Sequence, residues 1–384
     1  MTADRASNVR LIVFSDDWGR HPSSCQHLTR RLLLRYRTLW VNTVGTRAPR
    51  LSREDLGKGF VKLRQWLSGS SGPRDVLPDN LEIVTPPMYP GFRRRWQRRL
   101  NRRLVASRVH RTLGSRAEGE RRVVVTTIAV TADLVDALDV DRWVYYCVDD
   151  FSVWPGLDGP VLEAMERELV GRVDRVICVS ETLEDRLANM GSDPVLLTHG
   201  TDLAHWQAAP SSGAPQWLAG LDRPVLLFWG VIDRRLDYDM CAALAREGSL
   251  VLVGPDQSPD PRLESLPGVR LPGPADFDAL PALAAAADVL VMPYADLPVT
   301  RAMQPLKFKE YLATGRPVVV PSLPAMRPWR DTADVVETRE AFVEAVRRRI
   351  AEGVPDDQAR ARLRLADESW DRKAEVFEEV LLGE

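Results

Sequence analysis

The 384-residue sequence has only four cysteines, Cys25, Cys147, Cys178 and Cys241, and no two of them form a Cys-x-x-Cys pair. That excludes a zinc knuckle and a disulfide framework, and it fits a reducing compartment. The histidines, at positions 21, 27, 110, 199 and 205, never stand at i, i+4 beside a carboxylate. Metal-hydrolase chemistry therefore lacks its ligand spacing. No Gly-x-Gly-x-x-Gly follows the first apolar run and no P-loop string occurs, which removes the two commonest phosphate-binding fingerprints. No apolar run reaches the roughly 18 residues of a membrane span. The start, MTADRASNVRLIVFSDDWG, lacks a secretory h-region. A cytoplasmic protein is expected, or one seated on a membrane from its cytoplasmic face. Two Asp-x-Asp strings, 139–141 and 237–239, are too short to mark a metal site, and surface acids at helix ends are the expectation for both. The net charge of −2 gives no bulk attraction to nucleic acid, although a sum can hide local extremes.

What is present is an ordinary soluble composition, 45% hydrophobic and 28% charged, on a chain comfortable for two α/β cores. Short β-branched runs alternate with helical patterns. VRLIVF (9–14), TLWVNT (38–43), LEIVT (81–85), RVVVTTI (122–128), RWVYYCV (142–148), DRVICVS (174–180) and DPVLLT (193–198) read as buried parallel strands. After a Pro-, Gly- and Ala-rich stretch the alternation restarts with strands RPVLLFWG (223–230), SLVLVG (249–254), VRLPG (269–273), DVLVMPY (288–294) and RPVVVPS (316–322). Helical patterns cover 237–247, 276–287, 304–314 and 339–352. The fold class is α/β: two doubly wound, Rossmann-like domains with ligand sites at the C-terminal strand edges. The expected division is an N-terminal, acceptor-side domain over 1–206, a linker over 207–223 and a C-terminal domain over 224–364. A helix over 365–384, carrying Leu365, Trp370, Ala374, Phe377 and Leu381 on one face, needs a partner surface.

The most informative stretch is PYADLPVTRAMQPLKFKEYLATGRPVVVPS (293–322). A helix is predicted to start near Gln304-Pro305 and stop at Gly315. Its first N–H groups and positive dipole end suit a pyrophosphate. Lys307 in the first turn can reach a phosphate. Glu310, on the same face, can accept two ribose hydroxyls. The same spacing also describes an exposed ion pair, and both readings stand at this stage.

With these residues the chain resembles the GT-B glycosyltransferases, particularly the broad family 4 that elongates bacterial polysaccharides and glycolipids. PLKFKEYLATGRPVVVPS is similar to that family's donor-binding signature. LLFWGVIDRRLDYDM (226–240) resembles its glycine turn, here Gly230, with basic residues that clamp the donor diphosphate. VRLPGPADFDALPALAAAADVLVMPY resembles its nucleobase-side segment, DRVICVSETLEDRL with LLTHGTDLAHW (196–206) its N-domain ending, and the helix containing Ser369-Trp370 the one that crosses back to the N-domain. Three positions depart from the pattern. Ala302 stands where the first Glu of a Glu-x7-Glu pair is usual, Val231 where an Arg is, and Leu236 where a Lys is. Arg234 and Arg235 are near enough to substitute, with Arg235 preferred. The resemblance implies two facing Rossmann-like domains. Gly230, Arg234, Gln304 and Glu310 would hold a UDP-, GDP-, ADP- or dTDP-linked sugar. Lys307, Arg235 and the helix dipole would stabilise the leaving diphosphate without a metal or a further cofactor.

On the acceptor side, SDDWGRHPSSCQHLTRRLL leads a polar loop into a helix with Ser23 or Ser24 as N-cap, and places Gly19, Gln26 and His27 where they would touch the acceptor or the donor phosphate. A capped helix with a solvated His27 is the equal alternative. YYCVDDFSVWPG ends a strand with two acids, and Asp149 could orient or deprotonate an acceptor hydroxyl. Capping acids are the other reading. His199 and Asp202 are expected in a structural turn. PGFRRRWQRRLNRRLVASRVHRTLGSR (90–116) carries ten arginines, and no acid occurs between Glu82 and Glu118. With Phe92, Trp96, Leu100 and Leu104 spaced by four and Val105, Val109 and Leu113 continuing a stripe on a neighbouring face, this reads as a basic amphipathic helix for an anionic membrane surface. A domain-surface helix with solvated arginines is the plainer reading. The expected activity is sugar transfer to a hydroxyl of a lipid-linked or polysaccharide acceptor, retaining in outcome, with no nucleic-acid partner. A nucleotide-sugar epimerase on the same fold and a non-catalytic sugar-binding partner subunit are the alternatives.

Overall fold

The structure, a computed structural model, describes residues 8–19, 23–42, 77–154, 156–208, 213 and 215–383. Parts of the expected linker, 209–212 and 214, lie outside the described residues. The chain divides into two compact units, one of Met1–Cys178, Glu184–Leu197 and Ala374–Glu384, the other of Val179–Leu183 and Thr198–Lys373.

The first unit is built on β1 (Val9–Ser15), β2 (Arg37–Asn42), β3 (Leu81–Val84), β4 (Arg121–Thr126), β5 (Arg142–Cys147), β6 (Arg175–Cys178) and β7 (Val195–Leu196). They form one parallel sheet in the order β3-β2-β1-β4-β5-β6-β7. Apolar runs such as Leu11–Phe14 and Val123–Val125 are buried completely because helices cover both faces of a parallel sheet. The order reverses between β1 and β4, so the loops after those strands open a crevice at their C-terminal ends. The predicted strand over 193–198 shrinks to the two residues of β7, with Leu196 exposed on the sheet edge.

Helices α1 (Ser24–Leu32), α2 (Arg95–Leu113) and α3 (Gly159–Val170) belong to this unit. The two stripes expected on α2 have different surroundings. The buried side of the helix is Asn101, Val105, Ala106, Val109 and Leu113, while Trp96 and Leu100 face outwards. Positions 101, 105, 109 and 113 share one face at helical spacing, and 96 and 100 fall on another. Phe92 precedes the helix and packs separately with Ile128, Ala129, Val130, Leu162 and Met165.

The second unit carries β8 (Val225–Trp229), β9 (Ser249–Val253), β10 (Val269–Gly273), β11 (Val289–Val291), β12 (Val318–Pro321) and β13 (Asp334–Val336). All are parallel, in the order β10-β9-β8-β11-β12-β13. The order reverses between β8 and β11, which creates a second switch point. Its donor-signature helix, α4, spans Leu306–Ala313.

The single terminal helix expected from 365 onwards is corrected. A 3-10 segment, Arg362–Glu368, is followed by a break at Ser369 and then by α5 (Trp370–Leu382). The break has a cause: Ser369 is extended and bridges Thr201, whose N–H donates to the Glu368 carbonyl at 2.8 Å. The Ser369 hydroxyl then accepts from Arg372 N–H and caps the new helix. The end of α5 clusters with the first unit: Phe377 sits 5.3 Å from Tyr146, and Arg121 donates to the Leu382 carbonyl.

Candidate functional site

The second switch point gathers most of the residues singled out in the C-terminal half. Gly230 leaves β8 with φ +139°, a region that L side chains avoid. A Cβ there would lie 2.3 Å from Lys307 Nζ and would displace the ammonium, so glycine is required for conformation and leaves Lys307 its place. Lys307 Nζ donates to Tyr294 Oη at 2.5 Å and lies 4.7 Å from the Phe228 ring centroid. Tyr294 follows β11, so the ammonium is suspended between the two strands of the switch point. Arg235 packs over the other flank of Tyr294, 5.7 Å from its ring.

The start of α4 comes one residue later than expected, with Pro305 as its N-cap residue and no capping side chain. Lacking a side-chain oxygen, Pro305 leaves the first N–H groups available to a ligand. Glu310 lies further along α4 and its Oε2 accepts from Trp229 Nε1 at 3.1 Å. Trp229, the last residue of β8, stacks on Trp206 at 5.3 Å and 11° and meets Tyr311 edge-on. Burial among these rings pushes the Glu310 carboxyl up to about 7, although the Trp229 hydrogen bond and the Lys307 charge work against the rise. Lys307 and Glu310 do not form the exposed ion pair that their spacing allowed, because each has taken an aromatic partner instead.

Arg234 and Arg235 divide differently from the preference stated above. Arg235 is buried and its Nε and Nη2 hold Asp233 at 2.9–3.0 Å. Arg234 is exposed. Gln304 accepts from the His199 N–H and so ties the approach to α4 to the 198–201 turn. Ala302 is buried, and its carbonyl accepts from Ser180 Oγ at 2.6 Å. Asp202 caps the short helix Leu203–Gln207. Asp237 caps Tyr238–Leu244, and Asp139 and Asp141 pair with Arg116. Among the described residues, no three His, Cys, Asp or Glu side chains stand together as a metal site.

Three residues at this site escaped the sequence reading: Trp229, Tyr294 and Lys309. The first two were visible only as strand-end aromatics. Lys309 is buried, with Nζ donating to the His199 carbonyl at 2.5 Å and pairing with Glu368, which also takes Lys373. Burial pushes the Lys309 ammonium down to about 8, while the two ammonium groups hold the Glu368 carboxyl below its ordinary range.

In the first unit, Gly19 and His27 lie at the β1/β4 switch point. Gly19, with φ +77°, donates to Gln26 Oε1 at 3.0 Å, and Gln26 Nε2 donates to Asp16 at 2.9 Å. Asp16 also accepts from Ser15 and Ser23, so the polar loop is organised by an Asp16–Gln26 pair. Ser23 is the N-cap of α1, and His27 follows in its first turn, half-buried. Asp149 leaves β5 at the C-terminal edge and is half-buried. Its neighbour Asp150 is the structural acid, bonded to Ser152 N–H at 3.0 Å and to Arg186 at 3.2 Å.

Residues 223–352, which include Gly230, Lys307 and Glu310, match the family model of Glycosyl transferases group 1. TuaH of Bacillus subtilis (strain 168), whose name assigns it as a teichuronic acid biosynthesis glycosyltransferase, is 32% identical over 176 residues. That match spans 43% of this chain and 44% of TuaH, less than half the length of either. The sucrose-phosphate synthase of Thermosynechococcus elongatus superposes with a TM-score of 0.70 at 16% identity, over 98% of this chain and 100% of its own. The Anabaena protein HepE in complex with UDP-glucose gives 0.69 at 13% identity, over 98% and 100%. At such identities the likeness is one of fold, and the fold is GT-B.

Proposed function

We infer that this chain is a GT-B glycosyltransferase that moves a sugar from a nucleoside diphosphate donor to an acceptor hydroxyl. The observation that carries the reading is the cluster at the β8/β11 switch point. A glycine turn, an ammonium, an uncapped helix start and a carboxyl lie along one turn and one helix. A donor laid there sets its diphosphate against Lys307 and the start of α4 and its ribose on Glu310. As the sugar–oxygen bond breaks, negative charge grows on the leaving diphosphate, and these groups stabilise it where it forms. Arg234 and Arg235 lie on the loop that follows Gly230 and add positive charge. In this reading the protein supplies the cationic side itself and no metal takes part.

A retaining outcome is part of this proposal and follows the resemblance to family 4. The name of TuaH favours a polysaccharide or lipid-linked acceptor, and the HepE complex makes a uridine nucleotide the first donor to test. Asp149, at a C-terminal strand edge of the first unit, would take the acceptor proton, with Gly19 and His27 beside the acceptor. The arginines of α2 support a peripheral seat on the cytoplasmic face of an anionic membrane.

Thermal-shift screening against UDP-, GDP-, ADP- and dTDP-sugars tests the donor site. One family of donors is expected to stabilise the protein, and silence towards all of them at millimolar concentration would overturn the reading. Consumption of the stabilising donor without any acceptor would give an epimerase instead.

A further inference from the structure

Beside the outer face of α2 lies a basin of about 360 Å³ lined by Arg95, Arg98, Arg99, Arg102, Arg172, Asp133 and Asp136. Five guanidinium groups thus meet two carboxylates of the lining and a third, Glu168, on Arg98. The acids are fully used in fixing two of the arginines. Asp133 grips Arg98 at 2.8 Å through both oxygens, with Glu168 on the same guanidinium, and Asp136 pairs with Arg172, which also donates to the Ala132 carbonyl at 2.7 Å. Bidentate pairing holds the Arg98 fork in one orientation, and Arg172 is held by one contact to Asp136 and one to the Ala132 carbonyl. The remaining three, Arg95, Arg99 and Arg102, are exposed, lie at i, i+4 and i+7 on one stripe of α2, and have no acidic partner among the described residues.

Apolar groups border this stripe. Trp96 is 49% exposed and Leu100 38%. Trp96 is held upright by an edge contact to Tyr89, with ring centroids 5.0 Å apart. These two side chains follow Arg95 and Arg99 directly in sequence and so lie about 100° further round the helix, on the flank next to the arginine stripe.

We propose that this basin is a phosphate-binding site for an anionic lipid headgroup. Arg95, Arg99 and Arg102 would close on the phosphate, Arg172 would form its floor, Arg98, already taken by Asp133 and Glu168, would only wall the basin, and Trp96 and Leu100 would enter the headgroup–acyl boundary. Guanidinium forks match phosphate oxygens in geometry, and a phosphomonoester offers more of them and more charge than a diester. The side chains next to the basin favour a lipid as the source of the phosphate, since a free anion has no use for an exposed indole and isobutyl group beside it. The proposal rests on the membrane reading above and sharpens it from a diffuse basic surface to a discrete site.

The test is flotation of the full chain with phosphatidylcholine vesicles of matched surface charge containing phosphatidic acid or phosphatidylserine. R95Q/R99Q/R102Q is compared with R103Q/R108Q/R111Q, which removes the same charge from exposed positions elsewhere on α2. Preference for phosphatidic acid is expected, lost about a hundredfold in the first variant and less than tenfold in the second. Equal losses in the two variants would overturn the site while leaving a diffuse membrane attraction. Wild-type protein that ignores every vesicle at low salt would overturn the membrane reading itself. Calorimetry with glycerol phosphate supplies the soluble arm. Tight binding there, abolished by R95Q/R99Q/R102Q and accompanied by no flotation, would make a free phosphate the occupant and overturn the lipid assignment. Unchanged melting of both variants confirms that these exposed arginines act on binding and not on folding.

Discussion

At Glu310 the reading of the site becomes quantitative. Its folded-state pKa of about 7 lies above the ordinary 4.5 because burial disfavours the charge. The neutral form is therefore the one the fold prefers. Its contribution to stability is fully present below pH 4.5 and is lost as pH rises through about 7. Ribose hydroxyls donate most strongly to the carboxylate, so donor binding favours the opposite form. Binding of a nucleotide-sugar at pH 6 should then release a proton, and affinity should rise by up to about tenfold per pH unit until the carboxyl has ionised. Calorimetry in buffers of different ionisation enthalpy reads the proton directly, because the bridged phosphates of a nucleotide-sugar do not titrate there. Glu310→Gln should abolish the buffer dependence and cost about 1.5–3 kcal/mol of affinity at pH 8. A heat that is independent of buffer in wild type would remove Glu310 from the ribose. Lys307→Ala makes a separate test, with a larger loss for the diphosphate nucleotide than for the nucleoside. Equal losses would mean that Lys307 acts through Gly230 and the turn rather than on phosphate.

Elements were legible where a local pattern and the global fold demand the same thing. The twelve-odd apolar runs read as strands because a sheet covered on both faces needs β-branched residues at every position. Gly230, Lys307 and Glu310 could be found because the turn and the first turns of a helix are local in sequence. Trp229 and Lys309 carried no local signal: each makes its bond to a residue far along the chain, namely Glu310 and Glu368. The same holds for α5, where an amphipathic period runs through Ser369 but the pairing of Thr201 with that residue breaks the helix. On α2 the period was legible but not which apolar stripe faces the sheet, since arginine stems mask it. The terminal helix offers a clean check at this scale. Phe377 is 1% exposed against Tyr146, so Phe377→Ala should destabilise by about 3–5 kcal/mol in urea titration. A change below about 1 kcal/mol would mean that the helix end does not belong to the first unit's core.

Two units of similar size, each with its own sheet and switch point, raise a question that single substitutions do not answer: which of them holds the nucleotide. The residues assigned to the donor all belong to the unit of Thr198–Lys373. Those assigned to the acceptor, Gly19, His27 and Asp149, belong to the unit that starts the chain. Nucleotide binding stabilises the states it binds by RT ln(1 + [L]/Kd), about 2.7 kcal/mol at a hundredfold excess over Kd. In amide hydrogen exchange this should appear as slowed opening in the strands and turns around the site, namely 225–232, 289–295 and 304–313. The loop 15–27 and the segment 147–154 should exchange at their free rates with the nucleoside diphosphate alone. Addition of a true acceptor should then protect 147–154 in turn. Protection by the nucleotide that centres on 15–27, with 304–313 unchanged, would transfer the donor to the first unit and reverse the assignment. The experiment reads the chain as a whole, and its outcome does not depend on knowing the sugar, since the nucleobase, ribose and diphosphate supply the contacts on which the assignment rests.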